Sequence, residues 1–173
     1  MSIQRAPTDD ELDAAARRLG RALVKRGWRM ASAESCTGGL VGHTLTQVPR
    51  SSDHYLGGIV SYSNAVKEDL LDVSRELLET VGAVSAEVAE AMTAGALTRF
   101  PVAEIAVAVT GIAGPDGGSP DKPVGLTYVA AARRDGPASV ERHTWPHDRG
   151  GNKRASVLAV LDLATRMARE GEG

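Results

Sequence analysis

The sequence predicts an α/β fold, a three-layer α/β/α sandwich around a mixed, mostly parallel sheet. Three observations predict it. Segments of helical and strand-like periodicity alternate along the chain. Glu104 to Thr110 is rich in Val and Ile, as a buried strand is. The last two strand-like segments meet at Asp135-Gly136, a hairpin signal, so at least one pair must run antiparallel.

The elements follow in order. Thr8 to Glu11 offers a hydroxyl cap and an acidic first turn. Leu12, Ala15, Ala16, Leu19, Ala22 and Leu23 then recur at helical spacing until Gly27. Trp28 to Ala33 reads as a short strand. SCTGGLVGHTLTQV begins with small residues and continues as an apolar helix, with Ser35 or Thr37 available as its N-cap. Tyr55 to Tyr62 is a second strand. Ser63 and Asn64 can cap a helix through Lys67 to Leu71, Ser74 starts a shorter one, and Ser85 caps one carrying Val88, Met92 and Ala96. After the Glu104 strand, Gly111 to Pro123 is a loop without hydrophobic period. Val124 to Ala132 and Ser139 to Trp145 are strands, and Arg149 to Arg169 is a final amphipathic helix. No repeat and no linker divides the chain, so residues 1–173 read as a single domain.

Composition narrows the function. A net charge of -2 argues against holding a nucleic-acid polymer by bulk charge. Aromatics at 3% remove the stacking platforms of single-strand binders. Cys36 is the only cysteine, so intrachain disulfides and multi-thiolate zinc sites are excluded. The histidines His43, His54, His143 and His147 lack metal-ligand spacing, so no metal is expected. Neither a signal peptide nor a membrane-length apolar run is present, which leads to the expectation of a cytoplasmic protein without membrane contact. Glycine is in excess, with 19 residues. Eight of these, Gly38, Gly39, Gly57, Gly58, Gly111, Gly114, Gly117 and Gly118, fall at or beside strand ends. They suggest backbone cleared for a small ligand.

Three segments could carry chemistry, each at a predicted strand end, where open α/β sheets bind ligands. Ala33 to Gly39 joins a strand to a helix, and a hydroxyl there could be a nucleophile beside backbone amides near Thr37 to Gly39. It matches neither the G-x-S-x-G elbow nor S-x-x-K, so the pattern alone favours a plain N-cap at Ser35 or Thr37. In the second segment, Tyr62 and Lys67 could face one cleft. A lysine acts as general base only if its pKa is brought down, and Ser–Lys pairs are known substitutes for the Ser-His-Asp triad. The third, Thr110 to Gly118, is either a ligand-holding loop or a surface turn. Arg149, Lys153 and Arg154, early in the last helix, could meet an anion or simply be solvated.

Taken together, AESCTGG (Ala33 to Gly39), GGIVSYSNAVKEDLL (Gly57 to Leu71), VTGIAGPDGG (Val109 to Gly118), KPVGLTYVA (Lys122 to Ala130) and the Asp148-Arg149 and Arg154 pattern resemble the CinA C-terminal domain family of nicotinamide-nucleotide amidohydrolases. The likeness runs from about Leu12 to Met167. The resemblance implies a three-layer α/β/α fold, a homodimer or higher homo-oligomer, and no cofactor. It also implies deamidation of nicotinamide mononucleotide to nicotinic acid mononucleotide with release of ammonia. Ser35 would be the nucleophile, Lys67 its general base, and Tyr62 a hydrogen-bonding assistant. Thr110, Gly111, Gly114 and Arg149 would hold the nucleotide, with Glu34, Thr37, Gly38, Gly39 and Asn64 as further substrate contacts. His147 and Asn152 depart from the family pattern, which has glycine and an apolar residue there. The alternative to an enzyme is a non-catalytic nucleotide-binding or oligomerisation module.

Overall fold

A computed structural model of the chain describes residues 5–170. Its elements are α1 (Asp9–Arg26), β1 (Met30–Glu34), α2 (Leu40–Thr46), a 3-10 turn (Ser51–Asp53), β2 (Tyr55–Val60), α3 (Asn64–Leu71), α4 (Arg75–Val81), α5 (Ala86–Arg99), β3 (Ile105–Gly111), β4 (Leu126–Arg133), β5 (Ala138–Thr144) and α6 (Arg149–Arg169). The sheet order is β2-β1-β3-β4-β5. β1 pairs in parallel with β2 and β3, while β4 runs antiparallel to both β3 and β5. Four strands therefore point one way, and β4 alone is reversed. Among the described residues no helix is long and apolar enough to cross a membrane.

Local chemistry explains the element ends. Thr8 and Glu11 form a reciprocal capping box on α1. Ser63, Ser74, Ser85 and Asp148 each cap a helix through the side chain. Three strand limits differ from the sequence expectation by two residues, and the others by one or none. β1 opens at Met30 because the Gly27 and Trp28 amides close α1 onto Val24 and Leu23. β2 ends at Val60, where β1 also runs out, so Ser61 and Tyr62 lie beyond the strand. β4 begins at Leu126 because Gly125, at φ +90, turns the chain to bond Ile112.

The pleat divides the core by size. Met30, Ile105, Val107, Val109 and Val129 face α1, α2 and α6. Ala31, Ala33, Ala106, Ala108 and Ala130 face the α3–α5 layer. Small residues on that second face let its helices come close to the sheet. They also come close to one another: a Cβ on Gly95 of α5 would lie 2.1 Å from the Leu71 carbonyl oxygen at the end of α3. The absence of a side chain at Gly95 thus sets how deeply α3, which carries Lys67, is seated.

Candidate active site

The parallel strands end at one edge of the sheet, and the candidate residues gather there. Ser35 follows β1, Ser61 and Tyr62 follow β2, and Gly111 closes β3. The reversed β4 starts at this edge and β5 ends at it, which delivers the N-terminus of α6 to the same place.

Ser35 is held by backbone rather than by a helix. Its amide donates to Val109 O at 2.9 Å, which pins the turn after β1 to the neighbouring strand. Neither Ser35 nor Thr37 is the N-cap of α2. That position belongs to Gly39, which makes no side-chain cap, and the helix start is satisfied instead by the Glu34 carboxylate. One Glu34 oxygen accepts from Thr37 Oγ1 (2.7 Å), the Gly39 amide (3.2 Å) and the Val41 amide (2.8 Å), and the other from the Gly42 amide (3.1 Å). A buried carboxylate is stable there because those hydrogen bonds replace its hydration. The Ser35 hydroxyl is therefore relieved of any capping duty.

Lys67 supplies its partner. The side chain is 1% exposed and sits one turn into α3. Its Nζ donates to Ser35 Oγ at 2.9 Å, Ser61 O at 2.8 Å and Tyr62 O at 3.2 Å. Desolvation in this apolar surround lowers the Lys67 pKa from the ordinary 10.5. No acidic side chain forms a salt bridge with the ammonium among the described residues. Cys36, adjacent to the serine, is the opposite case: burial pushes its thiol up to about 12, so it stays protonated.

The other expected residues take distinct places. Tyr62 is 61% exposed, and its phenol oxygen accepts from Arg149 Nη2 at 3.2 Å, while its backbone carbonyl faces Lys67. Arg149 Nη1 also donates to Gly114 O at 2.7 Å, so one guanidinium links the 111–123 loop to the β2–α3 connection. The buried Thr110 donates its hydroxyl to Ala83 O. Asn64 is exposed at the start of α3. Gly111 and Gly114 lie against chain rather than open space, since Cβ atoms there would meet Thr127 Oγ1 at 2.6 Å and Val124 Cγ1 at 2.4 Å.

The amides expected to stabilise an oxyanion also need correction. The Gly38 amide closes the turn onto Ser35 O and the Gly39 amide is held by Glu34. Among the described residues, the amides of Cys36 and Thr37 are the ones in this turn without an acceptor.

Sequence reasoning missed two contributors. The Ser61 carbonyl is invisible to any side-chain pattern. Asn152, the family departure, is buried and accepts from the His147 amide while its Nδ2 donates to Ala113 O, which ties the long loop to α6. Lys153, named from the sequence with Arg149 and Arg154 as a possible anion contact, lies one helical turn beyond Arg149, with its Nζ 3.8 Å from the position a Cβ on Gly38 would take. Arg154 points elsewhere, to Pro7 O and Asp9. A cavity of about 480 Å³ opens beside Arg149, between Pro115, Val124 and residues 147–150.

Comparison with known proteins shows the family. The chain is 53% identical to a CinA-like protein of Desulfotalea psychrophila over 118 residues, covering 68% of the chain and 28% of that protein. It is 45% identical to a CinA-like protein of Geobacter sulfurreducens over 161 residues, 93% of the chain and 38% of that protein. The chain thus spans well under half the length of these relatives. The crystal structure of the competence/damage inducible protein CihA from Agrobacterium tumefaciens superposes with a TM-score of 0.87 at 40% identity, covering 96% of this chain and 99% of that one. That of the competence damage-inducible protein A (ComA) from Klebsiella pneumoniae gives 0.88 at 31%, covering 92% and 98%. Residues 12–168 match the family described as CinA C-terminal domain, and the chain belongs to that family.

Proposed function

We propose that the chain is an amidohydrolase that deamidates nicotinamide mononucleotide through a serine nucleophile and a lysine general base. The observation that carries this reading is the 2.9 Å contact between Lys67 Nζ and Ser35 Oγ, with the lysine buried and, among the described residues, without a paired carboxylate. A neutral lysine has two N–H groups and one lone pair. The Ser61 and Tyr62 carbonyls take the two N–H groups, which aims the lone pair at the serine hydroxyl. The same geometry holds the ammonium once the proton has moved.

Ser35 Oγ attacks the carboxamide carbon while Lys67 accepts its proton. The Cys36 and Thr37 amides, without a backbone acceptor among the described residues, receive the developing oxyanion, a contribution of about 3 kcal/mol for one good donor. Lys67 returns the proton to the nitrogen, the C–N bond breaks, and ammonia leaves. Water, deprotonated by Lys67, then cleaves the acyl-enzyme ester to give the carboxylic acid and free Ser35. Arg149 orders Tyr62 and the loop at Gly114 around the substrate.

The choice of substrate rests on the five sequence blocks that resemble the amidohydrolases, together with a site rich in backbone and poor in rings. Ammonia release from nicotinamide mononucleotide, the dinucleotide and the riboside tests it. Release from the mononucleotide in preference to the other two is the expected result. No release from any of them, with tight binding of the mononucleotide, would move the reading to a nucleotide-binding module.

A further inference from the structure

A cavity of about 450 Å³ lies at the end of the sheet opposite Ser35, where β1 and β2 begin. Four cationic side chains line it, Arg17, Arg21 and Lys25 from α1 and Arg50 from the turn after α2, against one carboxylate, Asp53. Arg17 Nε donates to Asp13 at 2.7 Å and Arg50 Nε to Asp53 at 3.0 Å. Both pairs are at the surface, where solvent screens them. Arg21 has no partner among the described residues. Behind these charges stands His54. Its ring is 4% exposed, and neither nitrogen has a hydrogen-bond partner. The nitrogen edge turns toward α1 at Gly20, where a Cβ would lie 2.8 Å from Cε1 and 3.0 Å from Nε2. Gly20 and His54 both line the cavity, so the unpaired edge stands at its wall. A buried N–H without an acceptor is costly, and native chains seldom leave one. Glycine is likewise a poor choice inside a helix, and here it leaves the ring edge uncovered by any side chain. An acceptor entering the cavity would complete the ring.

We infer that this cavity is a second binding site, for a small anion of the phosphate class carrying two or more negative charges. It is separate from the Ser35 site and does not depend on the amidohydrolase reading. Guanidinium groups meet phosphate oxygens two at a time, so Arg21 and Arg50 are the charged anchors, and His54 adds an N–H from within. The excess of cations over carboxylates suits a multiply charged anion better than a single carboxylate. The volume is that of a small-molecule site rather than of one ion. Val24, Val48 and Pro49 supply apolar ground for the rest of the ligand.

The test is calorimetry with inorganic pyrophosphate at fixed ionic strength, on the wild type, Ser35→Ala, the Arg21→Gln/Arg50→Gln double variant and His54→Leu. A control double variant, Arg75→Gln/Arg142→Gln, removes two exposed charges outside the cavity. The expected result is one pyrophosphate bound per chain, equally in the wild type and Ser35→Ala, whether or not nicotinamide mononucleotide is present in excess. Arg21→Gln/Arg50→Gln should weaken binding by about tenfold or more, and His54→Leu by about threefold or more. The control should stay within about twofold of the wild type. Absence of binding by the wild type overturns the inference. So does displacement of pyrophosphate by the mononucleotide, which would put the anion at Ser35. Equal weakening in the control does the same, because it would reduce the attraction to a general field. Arg21 and Arg50 are exposed, so their replacement should leave the melting temperature in place, and the inference can fail on them even if His54→Leu does not fold.

Discussion

The Nζ of Lys67 stands 2.9 Å from Ser35 Oγ, although 32 residues separate the two in the chain. The pair forms because parallel β1 and β2 end together, so that the turn after one faces the first turn of the helix after the other. Its consequences can be measured.

The first concerns pH. The unfolded Lys67 has the ordinary pKa of 10.5, and burial lowers the folded one. Between the two values the unfolded chain binds more protons, so stability rises with pH across that window and is lowest beneath it. The reactive neutral amine is populated over the same window. Thus kcat/KM should rise with pH through a midpoint below 10.5. Lys67→Met should lower turnover by about 10³-fold and flatten this limb of the thermal-stability profile. A midpoint at or above the ordinary lysine value contradicts the assignment.

Glu34 supports the serine turn from beneath. Glu34→Ala strands the Val41 amide, which is buried, and removes three further hydrogen bonds. A loss of about 3 kcal/mol in chemical denaturation is expected, with a fall in activity beyond that of the unfolded fraction. Full stability in that variant would mean that α2 does not depend on this carboxylate.

Gly95 controls how deeply α3 is seated. A methyl group there meets the Leu71 carbonyl at 2.1 Å, and backbone cannot yield as a side chain can. Gly95→Ala should cost about 2 kcal/mol and displace Lys67, so kcat falls while Ser35 stays in place. Unaltered kcat with an unaltered melting temperature would show that the helices adjust freely.

His54 gives the chain an acid-sensitive core. The ring is 4% exposed, packs on Gly20, and neither nitrogen has a hydrogen-bond partner. Desolvation lowers its pKa from 6.5, against a smaller opposing pull from Asp53, while Arg17, Arg21, Lys25 and Arg50 line the adjoining cavity. The unfolded histidine binds the proton more readily, so stability falls as pH drops below 6.5. His54→Leu should flatten this acid limb in thermal denaturation at several pH values. An identical limb in the variant would assign the acid sensitivity to other groups.

Much of the fold was legible because its signals are local. The Thr8–Glu11 box and the serines at 63, 74 and 85 cap the helices they precede. The Asp135-Gly136 turn joins an antiparallel pair. The site was less legible. Ser35 and Thr37 look like N-caps until the Glu34 carboxylate is seen to do that work from the strand side. The glycine excess was only partly about ligand: Gly58, Gly111, Gly114 and Gly118 are small because Ser32, Thr127 and Val124 of the chain itself press on them. Gly38 and Gly39 alone border the serine turn with space above them. Spacing could suggest Lys67 as a base but not its distance to Ser35, which depends on strand register and on Gly95.

Ammonia release from nicotinamide mononucleotide by Ser35→Ala, beside the wild type, tests the central claim most directly. The substitution removes one buried oxygen and no backbone contact, so melting temperature should stay close to that of the wild type. Release by the variant should fall to the uncatalysed background while the wild type turns over. Turnover by folded Ser35→Ala within tenfold of the wild type would contradict a serine nucleophile at this site.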